Sequence, residues 1–574
     1  MYSKFNEEQL AGMAKYAETF AEAVNTASGS ATDANANVSC KNIATWRSES
    51  CKELEKQFNR YYVSKQIEKD WGKEVSDKYN ELLEDRVIYK HDESISPGIP
   101  YCCAMNSEEF LRSGTTKLGG ESEAPMHLDS FCGAFVNYIY AVSSQFAGAV
   151  ATPDFLLYFD YFARLDYGDD YLKTHKSEIE NHLQTIIYGI NHPAGNRGYQ
   201  SVFWNISFFD KHYFEGMFGG DLQDDGSRIN QFKFPDLDSY SKDSMRKCLR
   251  KKSLRSLGLY GKTDLSCEDL DLVEAKVRSE VARFNKLRTP NYNSIHKLQK
   301  FFMPWFRKER LKGRTLTFPV LTSAALIDTS TNTLRDRDYA DWMAHELSEG
   351  SSFFIYSDKD VSSLSSCCRL RNTLDKNQFS HSMGGGGLAT GSISVITINF
   401  NRLIQKKYDL EEIVNYIHKF HVSYRRVTEY YLARKMLPVY DAGFISLSRQ
   451  FLTVGVNGFV QAAEYLGIRV SDNDEYKKFC IDNLGKIGEL NKIAGKKYGV
   501  KFNTEFVPAE GLGVINCSKD KEDGLIVRKP HFIITLNDGT SRVVNSGDSV
   551  LVKDLNGKEL AIPVENLSQE HYLL

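Results

Sequence analysis

No Cys-x-x-Cys pair occurs in these 574 residues, although cysteine itself occurs 11 times. Zinc ribbons, zinc fingers and the common iron–sulfur sites hold their ions with such pairs, so no metal site announces itself. An excess of one charge is lacking too: 72 Lys and Arg stand against 75 Asp and Glu, a net charge of -3. That balance argues against nucleic-acid binding through a broadly basic surface. A long uncharged stretch, residues 131–153, carries Asn137, Ser143, Ser144 and Gln145, and reads as a buried helix, not a membrane span. Met1 leads into Asn6, Glu7 and Glu8, where a signal peptide has a basic and then an apolar segment; the expected location is the cytosol. What is present is apolar enough for a large core, with 41% hydrophobic and 12% aromatic residues, which excludes a disordered chain.

Along the chain, residues 7–25 predict a helix with apolar positions at Leu10, Met13, Tyr16 and Phe20. A small-polar stretch, 27–37, follows as a linker. Residues 53–86 are amphipathic and predict two helices broken near Gly72. Residues 87–89 predict a short buried strand ending at His91 and Asp92. Short apolar runs at 185–190, 202–209, 315–321, 352–356 and 394–400 then alternate with helical patterns at 268–286, 410–436 and 459–466. That alternation predicts an α/β architecture, one large barrel-like domain. From Phe532 onward, Asp538-Gly539 and Asn556-Gly557 separate runs rich in Val, Ile and Leu, the pattern of β-hairpins. The expected division is an N-terminal helix and linker (1–40), the main α/β domain (41–527) and a small β-rich extension (528–574).

Chemistry has two places to sit. The run Met-Gly-Gly-Gly-Gly-Leu-Ala-Thr-Gly at 383–391 precedes a strand, whereas a dinucleotide loop follows one. A tight turn or a close backbone approach is its plain reading. The cysteines include two adjacent pairs, Cys102-Cys103 and Cys367-Cys368. Neighbours in a strand face opposite ways and a disulfide between them is strained, so simple burial is the starting assumption. A hydrolytic Cys needs a His partner, and His91, His127 and His381 are available. A thiyl radical needs a short loop enclosed away from water, and the polar loop around Cys367 and Cys368 suits that. Residue types alone leave both open.

Several texts, taken together, resemble the anaerobic (class III) ribonucleoside-triphosphate reductases, a glycyl-radical family. They are Asp-Ala-Asn-Ala-Asn at 33–37, Ile-Tyr-Lys-His-Asp at 88–92, Pro-Tyr-Cys at 100–102, His-Leu-Asp-Ser-Phe at 127–131, Gln-Phe-Ala-Gly-Ala at 145–149, YGINHPAGNRGYQSVFWNIS at 188–207, Thr-Phe-Pro-Val-Leu-Thr at 317–322, Cys-Cys-Arg-Leu at 367–370, the 390–399 strand and Val-Pro-Ala-Glu-Gly at 507–511. They follow the family's order.

The resemblance implies a ten-stranded α/β barrel with a Cys-bearing finger loop at its centre. Cys368 is similar to the thiyl-radical residue that takes the ribose 3′ hydrogen, and Cys102 to the second Cys that helps reduce the 2′ position. His91 is expected near the site, Asn205 and Ser392 at the substrate, and Glu505 or Glu510 as a site carboxylate. Formate-using members carry Met and Asn where this chain has Ser366 and Ser392. That departure implies a thioredoxin- or glutaredoxin-like reductant. A nucleotide-regulated homodimer is also implied, with an activating enzyme that uses S-adenosylmethionine and an iron–sulfur cluster. The family's ATP cone does not fit before Asp33. Its Arg-Val-x-Gly-Tyr glycyl-radical text and four-Cys zinc site are absent, so the expectation is a split or interrupted enzyme whose glycyl radical comes from another polypeptide, with the β-rich extension as a docking or intein-like element. The competing readings are a pyruvate formate-lyase-type enzyme and an inactive nucleotide-binding remnant.

Overall fold

The computed structural model describes residues 6–22, 25–26, 29–30, 43–105, 107–192, 201–216, 244–286, 291–312, 316–359, 363–365, 371–373, 390–506, 512–527, 531–535, 541–545, 549–553, 559–563 and 572–573. Ten strands form one sheet. They are β1 (Ile88–Lys90), β2 (Cys102–Ala104), β3 (Val150–Ala151), β4 (Trp204–Phe209), β5 (Val320–Asp328), β6 (Thr333–Leu334), β7 (Phe354–Asp358), β8 (Thr390–Asn399), β9 (Phe451–Asn457) and β10 (Lys501–Glu505). β2, β3, β4, β5 and β7 run parallel in one half, and β8, β9 and β10 run parallel in the other. Parallel neighbours need crossovers, which helices such as Phe155–Tyr167, Leu410–Leu432 and Asp474–Tyr498 supply.

The halves meet antiparallel, with Cys102, Cys103 and Ala104 opposite Ser392, Gly391 and Thr390. β1 extends the same line along β8, with Tyr89 opposite Thr397. The expected ten-stranded α/β arrangement is therefore present; among the described residues, β10 and β7 are not joined by backbone hydrogen bonds.

Each half packs its helix-facing side into an apolar core. Cys103, Val150, Trp204, Ile206 and Phe208 join Phe131, Phe135 and Phe155 in one. Ile396, Ile398, Leu452, Val454 and Val456 join Ile413, Ile417 and Phe420 in the other. Strand residues alternate between faces, so these side chains hand the opposite face to their neighbours.

Two sequence expectations are corrected. The run 185–190 ends the helix Lys176–Asn191, because Ile179, Leu183, Ile186, Ile187 and Ile190 are buried at helical spacing. Residues 131–153 are not one helix: Leu128–Ser143 stops and β3 begins at Val150. The two helices expected around Gly72 are Ile43–Trp71 and Lys73–Glu84. The tail forms antiparallel pairs, β11 (His531–Thr535) with β12 (Ser541–Asn545) and β13 (Ser549–Lys553) with β14 (Glu559–Pro563), which flank the two predicted turns. Among the described residues, no helix is long and apolar enough to cross a membrane.

A buried ion pair holds the helix Leu512–Glu522 to the sheet. Arg402 Nε donates to Asp520 at 2.9 Å, and Arg402 Nη1 donates to Asp523 at 2.6 Å. Asn401 Nδ2 adds a bond to Asp520 at 2.8 Å. Removing one partner of such a pair leaves an uncompensated charge, so each member depends on the others.

Asp154, just after β3, is fully buried and accepts the backbone N–H and hydroxyl of Ser107, each at 2.8 Å. Burial outweighs those bonds and pushes its carboxyl up from 3.8 to about 7. A proton held more tightly in the fold than in the unfolded chain makes stability fall as pH rises through that window. Asp154→Asn removes this dependence. Its melting temperature relative to wild type is expected to climb as pH goes from about 4 to about 7; a constant difference in thermal unfolding across that range would refute the assignment.

Candidate active site

The face opposite the two cores is built of small and polar residues. On β4, Trp204, Ile206 and Phe208 turn to the core, which leaves Asn205 and Ser207 on the other side. On β9, Leu452 and Val454 face the core and Thr453 and Gly455 face away. On β10, Phe502 packs on the core and Thr504 bonds the helix residue Asn491 at 2.9 Å, so Asn503 and Glu505 share the opposite face. Cys103 lies in the main core, while Cys102 packs with Ala149, Tyr101 and Phe203. The two neighbouring thiols thus look in opposite directions, as strand geometry requires.

This inner face is closed to water yet polar. Asn205, Ser207, Thr322, Ser392, Thr397 and Thr453 are all buried. Asn205 Nδ2 donates to Thr322 Oγ1 at 3.0 Å. The Ser392 and Thr453 hydroxyls lie 2.8 Å apart. His91 Nε2 and Thr397 Oγ1 lie 2.7 Å apart, and Asn503 Nδ2 donates to Glu505 at 2.6 Å. Among the described residues, three further atoms, Asn205 Oδ1, Ser207 Oγ and Asn503 Oδ1, are buried with no hydrogen-bond partner. Unpaired buried polar atoms are costly, and several on one enclosed face mark the place of a polar ligand.

Two glycines shape the face. Gly391 has φ +149 and sits opposite Cys103; a Cβ there would overlap the Cys102 carbonyl oxygen and lie 2.8 Å from Cys103 Cα. The close approach expected of the Gly-rich run is therefore real at its last residue, while 383–389 lie outside the described residues. Gly455 stands between Thr397 and Glu505 in register, and a Cβ there would overlap the Thr397 hydroxyl.

Electrostatics on this side are governed by burial. Burial first, and the Lys90 charge second, push the His91 imidazole down to about 3, so it is neutral at working pH. Burial also lowers the Lys90 ammonium to about 8. Its Nζ donates to the His91 carbonyl at 2.7 Å and lies 4.5 Å from the Tyr424 ring centroid. A neutral His91 cannot donate a full positive charge, so its chemistry is hydrogen bonding.

Of the residues predicted from sequence, Cys102, His91, Asn205, Ser392 and Glu505 fall on this one face. Cys368 and Glu510 lie outside the described residues, as does Cys367. Sequence reading missed Ser207, Thr322, Thr397, Thr453, Gly455 and Asn503. The signal was there: in Asn205-Ile-Ser207, Thr453-Val-Gly455 and Asn503-Thr-Glu505, polar or small residues recur every second position. Among the described residues, no group of three His, Cys, Asp or Glu is placed to hold a metal ion.

The fold is shared with solved anaerobic ribonucleotide reductases. The enzyme from Thermotoga maritima with citrate in the active site superimposes with a TM-score of 0.64 at 22% identity, over 91% of this chain and 87% of that one. The same enzyme with dATP in the specificity site gives 0.64 at 23%, over 91% and 80%. A further structure described as anaerobic ribonucleotide reductase gives 0.62 at 23%, over 84% and 68%. No curated protein matches the chain. The sequence profile of anaerobic ribonucleoside-triphosphate reductase matches residues 50–532. That span contains every strand of the ten-stranded sheet, both apolar cores and the whole polar inner face, and on it the chain belongs to the anaerobic ribonucleoside-triphosphate reductase family.

Proposed function

We propose that the chain reduces ribonucleoside triphosphates to 2′-deoxyribonucleoside triphosphates on the polar inner face, with Cys102 and Cys368 as the reacting thiols. The observation that carries this reading is Cys102 itself. It is turned away from the core that takes Cys103, onto a buried face where three polar atoms have no partner among the described residues. Cys368, as a thiyl radical, takes the 3′ hydrogen atom and becomes a thiol. Removing that hydrogen weakens the adjacent 2′ C–O bond. The 2′ hydroxyl leaves as water after protonation from the Cys102 side, and Glu505 or Glu510 accepts the 3′ hydroxyl proton. Asn205 and Ser392 hold the ribose, and His91 lies beside it. C2′ then takes up a hydrogen and C3′ recovers its own from the Cys368 thiol, which restores the thiyl radical; the two electrons and two protons of the net reduction come from a dithiol protein of thioredoxin or glutaredoxin type, which leaves as its disulfide.

The Cys368 thiol would give its hydrogen atom to a glycyl radical made by an activating enzyme with S-adenosylmethionine and an iron–sulfur cluster, which leaves the thiyl radical on sulfur. The 574 residues contain no Arg-Val-x-Gly-Tyr text, so the glycyl radical is proposed to come from residues outside them. The similar Thermotoga maritima structures hold dATP and CTP. By that likeness we assign ribonucleoside triphosphates as substrates and deoxynucleotides as effectors, acting on a homodimer.

An anaerobic assay tests the reading. The full chain, activated with the products of its neighbouring genes, is expected to turn CTP into dCTP with dithiol but not with formate. Cys368→Ala is expected to lose all turnover and keep CTP binding. Turnover by Cys368→Ala would overturn the radical assignment, and full activity from the chain alone would overturn external supply of the radical.

A further inference from the structure

We propose that Thr397 is a positioning residue that fixes the His91 imidazole in the tautomer with its proton on Nδ1, making His91 a neutral N–H donor to an oxygen of the ribonucleotide. The second half of this statement rests on the reductase reading; the first half stands on the geometry alone.

The argument starts from the hydroxyl. A threonine offers one O–H donor and two acceptor lone pairs. Among the described residues, the only hydrogen-bond partner of Thr397 Oγ1 is His91 Nε2, at 2.7 Å. Two arrangements are available. In one, the imidazole donates from Nε2, and the threonine proton is left without an acceptor at a position that is 1% exposed. In the other, the threonine donates to Nε2, its buried hydroxyl is paired, and only the ring's Nδ1–H still calls for an acceptor. Leaving a buried donor unmade is the costly choice, so the second arrangement wins.

Once Nε2 accepts, the ring proton of a neutral imidazole must sit on Nδ1. Among the described residues, Nδ1 has no hydrogen-bond partner. It is therefore the atom left for a ligand. Tyr89 and Tyr101 set their rings edge-on to the imidazole, with centroids 4.9 and 5.9 Å away, and fix its plane. Lys90, bonded to the His91 carbonyl, opposes any second proton on the ring, as does burial. The outcome is a donor that binds an oxygen without bringing charge to the inner face.

Gly455 makes the arrangement possible. Any side chain there would overlap the Thr397 hydroxyl and force it off His91. The row Tyr89, Thr397, Gly455, Glu505 runs in register across four strands, and the Thr397 hydroxyl fills the place a side chain at 455 would take.

The test uses the full chain with 15N-labelled histidine, the His91 signals being assigned by their loss in His91→Gln. In wild type, Nδ1 should be protonated and Nε2 bare, with no change between about pH 6 and pH 8. Thr397→Ser should keep that spectrum and Thr397→Val should mix or reverse the tautomers. Thr397→Ala replaces the valine variant if circular dichroism shows that valine unfolds the sheet. CTP affinity should fall about tenfold in Thr397→Val and stay within about twofold in Thr397→Ser. A wild-type spectrum with the proton on Nε2, or a valine variant with the wild-type spectrum, overturns the tautomer assignment. Unchanged CTP affinity in Thr397→Val overturns the donor role. If wild type itself binds no CTP, the reductase reading fails, and the spectra alone decide the role of Thr397.

Discussion

Cys102→Ser is expected to abolish turnover, by at least about 1,000-fold, while fold and nucleotide binding survive. Serine matches cysteine in shape, but its O–H bond is too strong to exchange hydrogen with a carbon radical. The substitution sits on the polar inner face, where a hydroxyl finds company in Ser392 on the facing strand. Cys103→Ser is the matched control one residue away. It places a hydroxyl in the main apolar core, so it should cost about 1–3 kcal/mol of stability and leave the chemical step intact. Unfolding midpoints and anaerobic rates on both variants separate the two roles. An active Cys102→Ser beside a dead, well-folded Cys103→Ser would mean that the reacting thiol is the other one.

Gly391→Ala carries the second large effect, on stability and on rate together. Its φ of +149 is a region where an L side chain is strained. Its Cβ would also meet the carbonyl oxygen of Cys102, backbone that has no rotamer to escape into. Strain of about 1–3 kcal/mol and the overlap together should cost about 3 kcal/mol or more, because the antiparallel seam between β2 and β8 must open. The Cys102 thiol moves with its backbone, and a displacement near 1 Å costs about 100-fold in rate. Gly443→Ala is the comparison. Gly443 also has a positive φ, +89, but nothing lies within 4 Å of the added Cβ, so its cost should be only about 1 kcal/mol. Equal costs for the two variants, measured by denaturant unfolding, would remove the seam argument.

Much of this was legible before any coordinates, for particular reasons. The break at Gly72 and the strand pairs that flank Asp538-Gly539 and Asn556-Gly557 follow from local chemistry, which sequence expresses directly. The family texts carried the ten-stranded architecture, because those at 88–92, 100–102, 317–322 and 390–399 lie on or beside strands of the sheet. Local periodicity did worse. β2 and β3 hold three and two residues, too few for any period to be read. Residues 185–190 look like a strand only when Leu183 and Ile179, one and two turns earlier, are left out of the window. The inner face went unread for a different reason. The usual rule puts apolar residues inside, but this sheet buries both faces and gives the polar set to the enclosed one. Which strands bring Asn205, Thr453 and Asn503 onto one surface is a matter of long-range pairing, and no local pattern states it.

The seam between β2 and β8 joins residues 102–104 to residues 390–392. On the ribosome, at about 5–20 residues per second, β2 therefore waits roughly 15–60 s for its partner strand to be made. During that wait one edge of β2 is unpaired, and an unpaired edge is a template for other chains. The strand left waiting is the one that bears both Cys102 and Cys103. Newly made chains should accordingly be more open to oxidation and to aggregation than finished ones. Exclusion of oxygen should then protect the protein at birth as well as in the finished fold.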